Sequence, residues 1–519
     1  MAYTDSNVRP TQTEATPLLE QVETIRLEAN TQLDENQRSE LGQFMTPAPL
    51  ARLMASMFNN LTGDIHLLDA GAGVGSLTTA VTEEACNRFV KPRSITANTY
   101  ELDTLLTEHL KTSMQLCQHT CTDNRIDFKS NILNTNFIDE AVTLLQGDVF
   151  SERLAPRFNR VILNPPYYKI NSGSTTRQQL SSVGIETVNL YAAFVALSIK
   201  LLEDGGELVA ITPRSFCNGP YFKPFRQLLF GQMTIKQIHI FKSRNKAFKG
   251  DTVLQENIIF HAIKEQTDNP ITITSSSCAE DKEVSVREVS QQNVVCRNDP
   301  DMFIHIPTSK EDGDIAVAAR SLPCSLNDLG LKVSTGRVVD FRAKEYLQME
   351  PSTTTVPLIY PTHFKQGFIA WPKTNSRKPN ALKACSGTDK LMVPSGVYTL
   401  VKRFSSKEER RRIVAAVFDP KKINSQQIGF ENHLNYFHNN GKGLSLSIAK
   451  GLALFLNSSL VDQYFRQFNG HTQVNATDLR SLRYPTLKQL KQLGSHYKSK
   501  LPEQDVVDKI IEKTLFCQN

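Results

Sequence analysis

Four consecutive residues, Asn164, Pro165, Pro166 and Tyr167, carry the most specific chemistry in the sequence, and they stand directly after the apolar run RVIL. An exocyclic amine on an aromatic base is a poor nucleophile because its lone pair is delocalised into the ring. Two acceptors aimed at its N–H groups, the Asn164 side-chain oxygen and the Pro165 carbonyl, favour a pyramidal nitrogen whose lone pair faces a methyl sulfonium. The paired prolines stiffen the loop that holds those acceptors. Tyr167 offers an aromatic face to a base turned out of its stack, since such an amine is unreachable inside a duplex. No general base is required, because the product proton leaves to solvent after transfer.

A second constellation lies upstream. Asp69, Gly71, Gly73 and Gly75 form D-A-G-A-G-V-G at the end of the short apolar stretch IHLL. Such glycines let a backbone turn sharply and approach a ligand, although a purely structural turn reads the same way. Glu101 closes the next strand-like stretch, ANTYEL, where an acidic side chain is suited to holding the two hydroxyls of a ribose. Nothing resembles a Walker lysine, so the pattern points to a ligand with an adenosine but no pyrophosphate.

These residues need a scaffold that brings strand ends together. Strand-like stretches IHLLDA, SITANTYEL, RIDFKSNIL, NRVILNPPYY, GGELVAITP and IKQIHIF alternate with helix-patterned segments such as Leu77 to Phe89, Leu190 to Leu202 and Tyr221 to Leu229. Alternating βα units predict a Rossmann-like α/β fold with a doubly wound, mostly parallel sheet, closed by NIIFHAI near Asn257 to Ala262. The expected organisation is a polar N-terminal extension (residues 1–36) with a helical stretch around Leu18 to Leu27, a catalytic domain (37–264), a polar linker or insertion (265–300) and a mixed α+β domain (301–519). In the last part helices are expected at Lys407 to Val417 and Lys450 to Phe465.

The net charge of +6 over 519 residues hides an asymmetry. Residues 1–300 hold 28 Lys and Arg against 34 Asp and Glu; residues 301–519 hold 31 against 19. A C-terminal part that basic suits a polyanionic partner. No stretch approaches the roughly 18 apolar residues of a membrane span, and the polar N-terminus lacks the layout of a secretory signal, so a cytoplasmic protein is expected. The nine cysteines and His433, His438 and His471 show no metal-site spacing, so no metal is expected.

With these motifs in this order, the chain resembles the amino-methyltransferases of type II restriction-modification systems, in the arrangement where cofactor motifs precede NPPY and a target-recognition domain follows. The resemblance runs from about residue 38 to 490. It implies a class I fold dependent on S-adenosyl-L-methionine, followed by a domain that reads double-stranded DNA. It also assigns Phe44, Thr46 and Pro47 of GQFMTP, with Asp69, Ala70 and Gly71, to the methionine end of the cofactor, and counts Gly73 among the cofactor-binding residues. Glu101 goes to its ribose, Leu102 to a face of its adenine, and Asn131 with Ile132 to the adenine amino group, where Asp127 is the alternative. Asn164 borders the same cofactor, and Phe248 becomes a second stacking surface beside Tyr167. The implied activity is methylation of adenine N6, Asn rather than Ser at 164 favouring adenine over cytosine N4. Protein-glutamine methylation and an inactive DNA-binding protein are the other readings. A companion restriction endonuclease and monomeric action are expected.

Overall fold

The computed structural model describes residues 16–33, 44–147, 157–242, 256–296 and 299–517. The chain divides into two units, one of Met1–Pro213 with Pro224–Glu288 and one of Arg214–Lys223 with Val289–Asn519. The first is built on strands β1 (Gly63–Ala70), β2 (Pro92–Tyr100), β3 (Asp127–Leu133), β4 (Phe158–Leu163), β5 (Leu202–Pro213), β6 (Thr234–Phe241), β7 (Asn257–Ile263), β8 (Ile271–Ser276) and β9 (Ser285–Val289). They form one sheet in the order β3-β2-β1-β4-β5-β7-β6-β8-β9. The pairs β2/β3, β1/β2, β1/β4 and β4/β5 are parallel, while β7 runs antiparallel to both β5 and β6. This is the expected α/β class with a second domain.

The central strands read as apolar runs because both faces of the sheet are covered. Leu67, Leu68, Val161, Ile162, Leu163, Val209 and Ile211 are all fully buried. Helices α1 (Leu18–Gln32), α2 (Ala48–Ser56), α3 (Ser76–Asn87), α4 (Thr104–Asp123), α5 (Phe137–Gln146), α6 (Thr175–Ser182), α7 (Leu190–Leu201) and α8 (Lys223–Gln232) accompany it. α1 is more than a polar extension, since Leu18, Leu19, Val22 and Ala29 are buried and Glu23 accepts from the Ala48 amide at 3.0 Å, capping α2. Within β5 the buried Glu207 carboxylate takes hydrogen bonds from His261 Nε2 (2.8 Å) and the amides of Asn59 (2.8 Å) and Asn60 (3.1 Å). Burial raises its pKa, but these donors and the nearby Arg160 outweigh that and hold it below the ordinary value.

The polar stretch 265–300, expected as a linker or insertion, contributes two strands to this sheet. Ile271–Ser276 pairs parallel to β6, and Ser285–Val289 stands at the sheet's edge next to it. Thr272, Thr274, Ser275 and Ser276 are backbone-paired with β6, and Thr274 and Ser276 hydrogen-bond the buried His239 at 2.9 and 3.1 Å.

Gly75 is where the turn before α3 most needs a glycine. Its φ is +87°, and a Cβ there meets Leu110 Cδ1 at 2.7 Å and Met114 Cε at 3.0 Å, both in the packed core. Gly75→Ala is expected to lower unfolding stability by roughly 1–2 kcal/mol from the backbone conformation alone, measured by thermal or denaturant unfolding. An unchanged midpoint would show that the turn relaxes freely.

In the second unit a six-stranded and a five-stranded sheet are followed by four helices, Leu446–Leu456, Ser459–Phe468, Leu487–Ser495 and Gln504–Leu515, besides shorter ones. Two helix expectations fail here. Residues 407–414 form turns and bends that lead into the strand Ala415–Phe418, so Arg410, Arg411 and Arg412 share no helical face. Arg412 is instead buried, bonded to Ser405 Oγ and Asn469 Oδ1. The stretch 450–465 belongs to two helices, broken at Asn457 and Ser458, the latter capping the next helix through Val461 N. Among the described residues no helix is long and apolar enough to cross a membrane.

Candidate active site

The strand register sets the site. Ala70 pairs with Tyr100 and Tyr100 with Leu133, so β1, β2 and β3 end level, with Asn164 following Leu163 at the end of β4. Because β2 lies on one side of β1 and β4 on the other, the chain leaves these strand ends in diverging directions. A crevice at such a switch point is where open α/β sheets bind ligands. Here it is a cavity of about 320 Å³.

Gly71, Gly73 and the start of α3 form its floor. The amides of Gly71 and Ala72 donate to the Tyr100 carbonyl at 2.8 and 2.9 Å, which ties the turn to β2. Glu101 stands beside them, almost wholly buried, with Oε2 accepting from the Gly73 amide (2.8 Å) and Oε1 from the Asp103 amide (2.9 Å). Burial raises its pKa against those two bonds. One wall is aromatic: Phe137 packs against Tyr100 and Phe194, each with ring centroids 5.1 Å away. Leu102 lines the cavity and is 64% exposed.

Asp69 and Ala70 lie behind this floor and are fully buried. Asp69 Oδ2 accepts from Thr78 through its amide (3.2 Å) and hydroxyl (2.8 Å), bracing the first turn of α3. Its Oδ1 has no hydrogen-bond partner among the described residues. Burial, together with the neighbouring Glu101 charge, pushes the Asp69 carboxyl up to about 7.

Asn164 is the link between the two motifs. Its Nδ2 donates to the Phe44 carbonyl (2.8 Å) and to Thr46 Oγ1 (3.0 Å), and its Oδ1 accepts from the Tyr167 hydroxyl at 3.1 Å. Phe44, Met45, Thr46, Asn164 and Pro166 line the cavity, whereas Pro165 is buried and Pro47 starts α2, its carbonyl accepting from Ala51. The half-buried Tyr167 ring stands edge-on to Tyr191, with centroids 6.1 Å apart. Burial raises the pKa of its phenol, so it remains a donor at neutral pH.

The structure departs from the sequence reading at β3. Asn131 lies two residues inside the strand, opposite Asn98, and donates to that side chain at 2.9 Å; Ile132 packs into the core. Asp127, the alternative, starts the strand at its far end. The residues that reach the cavity are Thr135, Asn136, Phe137 and Ile138. A signal for them was present, because Asn136 is a helix cap before the apolar FIDEAVTLL, and its side chain accepts from the Ile138 amide at 2.9 Å. Phe248 lies outside the described residues.

Comparison with known proteins adds independent findings. Residues 57–248 match the Eco57I restriction-modification methylase family. The chain is 48% identical over 495 residues to the type II methyltransferase M.PstI of Providencia stuartii, covering 95% of this chain and 96% of that one. It is 44% identical over 481 residues to the type II methyltransferase M.BsuBI of Bacillus subtilis, covering 92% and 94%. Among solved structures, the fold is similar to that of the type IIL restriction-modification enzyme MmeI in complex with DNA, with a TM-score of 0.59 at 12% identity, over 95% of this chain and 78% of that one.

Proposed function

The chain belongs to the type II methyltransferases of restriction-modification systems, and from that premise we propose that it methylates N6 of adenine in double-stranded DNA, using S-adenosyl-L-methionine and a base turned out of the helix. The observation that carries this reading is the fixed amide of Asn164, which lines the cavity with its oxygen directed away from Phe44 and Thr46.

The cavity suits this methyl donor. Glu101 suits ribose hydroxyls and a ligand that carries positive charge, and Leu102 with the aromatic wall suits a flat purine. When bound, the donor supplies an electrophilic methyl on sulfur. Asn164 Oδ1 and the Pro165 carbonyl accept the two amine hydrogens and withdraw the nitrogen lone pair from the ring, a contribution that grows as the nitrogen becomes tetrahedral. Pro165 and Pro166 limit the freedom of the loop that carries those acceptors. Tyr167 presents its ring to the base, and the donated hydrogen bond from its phenol keeps the Asn164 oxygen oriented until the base arrives. The basic residues of 301–519 supply contacts to phosphates and base edges. The biological reading is protective modification in the cytoplasm, beside an endonuclease of the same specificity, by a monomer, since a hemimethylated site needs one transfer.

Tyr167→Ala is expected to lower kcat/KM for DNA by roughly 1–3 kcal/mol, the scale of base stacking on an aromatic ring, while Tyr167→Phe keeps most of it; equal losses in the two would argue that the hydroxyl, not the ring, matters. The substrate class is tested by incubating the protein with a methyl-labelled donor and duplex DNA, RNA or protein extract. Label in duplex DNA alone is expected. Label in protein would move the reaction to a glutamine amide.

A further inference from the structure

We propose that Thr46 is a positioning residue, which acts on the reaction through the orientation of the Asn164 amide rather than by holding the methyl donor. The inference rests on the reading of Asn164 as acceptor for the target amine. An amide side chain is nearly symmetrical in shape, and its two ends differ only in hydrogen-bonding sense. Turned about, Asn164 would aim N–H donors at an amine that is itself a donor, and the site would repel its substrate.

What prevents this is the surroundings of Nδ2. The Phe44 carbonyl, which can only accept, takes one hydrogen at 2.8 Å, and Thr46 Oγ1 takes the other at 3.0 Å. With both hydrogens engaged on that side, Oδ1 is committed to the opposite side, where the Tyr167 hydroxyl reaches it. Thr46 is 5% exposed, so solvent has little access to replace its hydroxyl. Its own position is fixed by the start of α2, where the Pro47 carbonyl accepts from Ala51 and the Glu23 carboxylate accepts from the Ala48 amide. The helix of the N-terminal extension thus buttresses the residue that orients the acceptor.

Thr46→Val keeps the shape of the side chain and removes its acceptor, leaving one Asn164 N–H without a partner. Loss of a buried hydrogen bond of this kind is worth roughly tenfold in rate. The expected result is a kcat about tenfold lower, with KM for S-adenosyl-L-methionine, and its dissociation constant measured calorimetrically without DNA, within about twofold of the unsubstituted protein. Thr46→Ser, which restores the hydroxyl, is expected to recover kcat to within about threefold. Donor binding weakened in proportion to the lost rate would overturn the proposal and return Thr46 to the cofactor, and an unchanged kcat in Thr46→Val would overturn it outright. If the unsubstituted protein transfers no methyl group to DNA, the functional reading itself fails and the role of Thr46 with it; the Thr46→Val outcomes, by contrast, leave that reading standing.

Discussion

Asn164→Ala is expected to lower kcat by about two to three orders of magnitude, the scale seen when a single preorganised hydrogen-bonding group is removed from a developing charge. Binding of the methyl donor and of DNA should change by no more than a few fold, because the amide contributes most as the target nitrogen gives up its conjugation. The cavity floor and the aromatic wall are untouched by the change, and Phe44 and Thr46 remain anchored through α2. Single-turnover kinetics with saturating donor separate the chemical step from binding. A variant that turns over at the unsubstituted rate would contradict the role given to the Asn164 oxygen.

The second large effect is expected at Glu101. Its carboxylate accepts from the Gly73 and Asp103 amides, joining the glycine turn after β1 to the loop after β2. In the proposed complex the same carboxylate takes the ribose hydroxyls. Hydrogen bonds to a charged group are worth roughly 1.5–3 kcal/mol, so Glu101→Ala should weaken donor binding by about tenfold to a hundredfold. It also leaves two amides without an acceptor. Glu101→Gln retains the volume and one acceptor oxygen and should fall between the two. Isothermal titration with S-adenosyl-L-methionine in the absence of DNA reads the effect directly, and an unaltered dissociation constant for Glu101→Ala would remove the ribose assignment.

Much of this site was legible in the sequence because its residues are tied to strand ends. An apolar run followed by a glycine turn, by an acidic residue or by NPPY marks where a buried parallel strand stops, and Gly71, Glu101 and Asn164 stand at such positions. The third strand was harder. DFKSNIL is half-buried and mixed in character, so nothing in its pattern marks Leu133 as its end; the residues named were Asn131 and Ile132, within the strand, whereas Asn136 and Phe137 beyond it line the cavity. The aromatic wall was missed for a different reason: Tyr100, Phe137 and Phe194 come from three separate elements and look like ordinary core residues one at a time.

The second half of the molecule was legible mainly as charge. Its strands are two to five residues long, too short for an alternating pattern to stand out. KEERRRIVAAV was expected as a helix, but the buried Arg412, held by the Asn469 side chain 57 residues on, and the paired strand beyond it decide the local conformation. That Arg214–Lys223 belongs with the second unit follows only from long-range partners such as Asp478, which accepts from Asn218 at 3.0 Å.

Transfer to adenine N6 at a defined DNA site is read out by expressing the chain in a host that lacks adenine methylation and sequencing the genome by a method that distinguishes N6-methyladenine from N4-methylcytosine. N6-methyladenine is expected at one position of a single short motif, present throughout the genome and lost with Asn164→Ala. N4-methylcytosine at such a motif, or no modified base in cells that contain the folded protein, would contradict it.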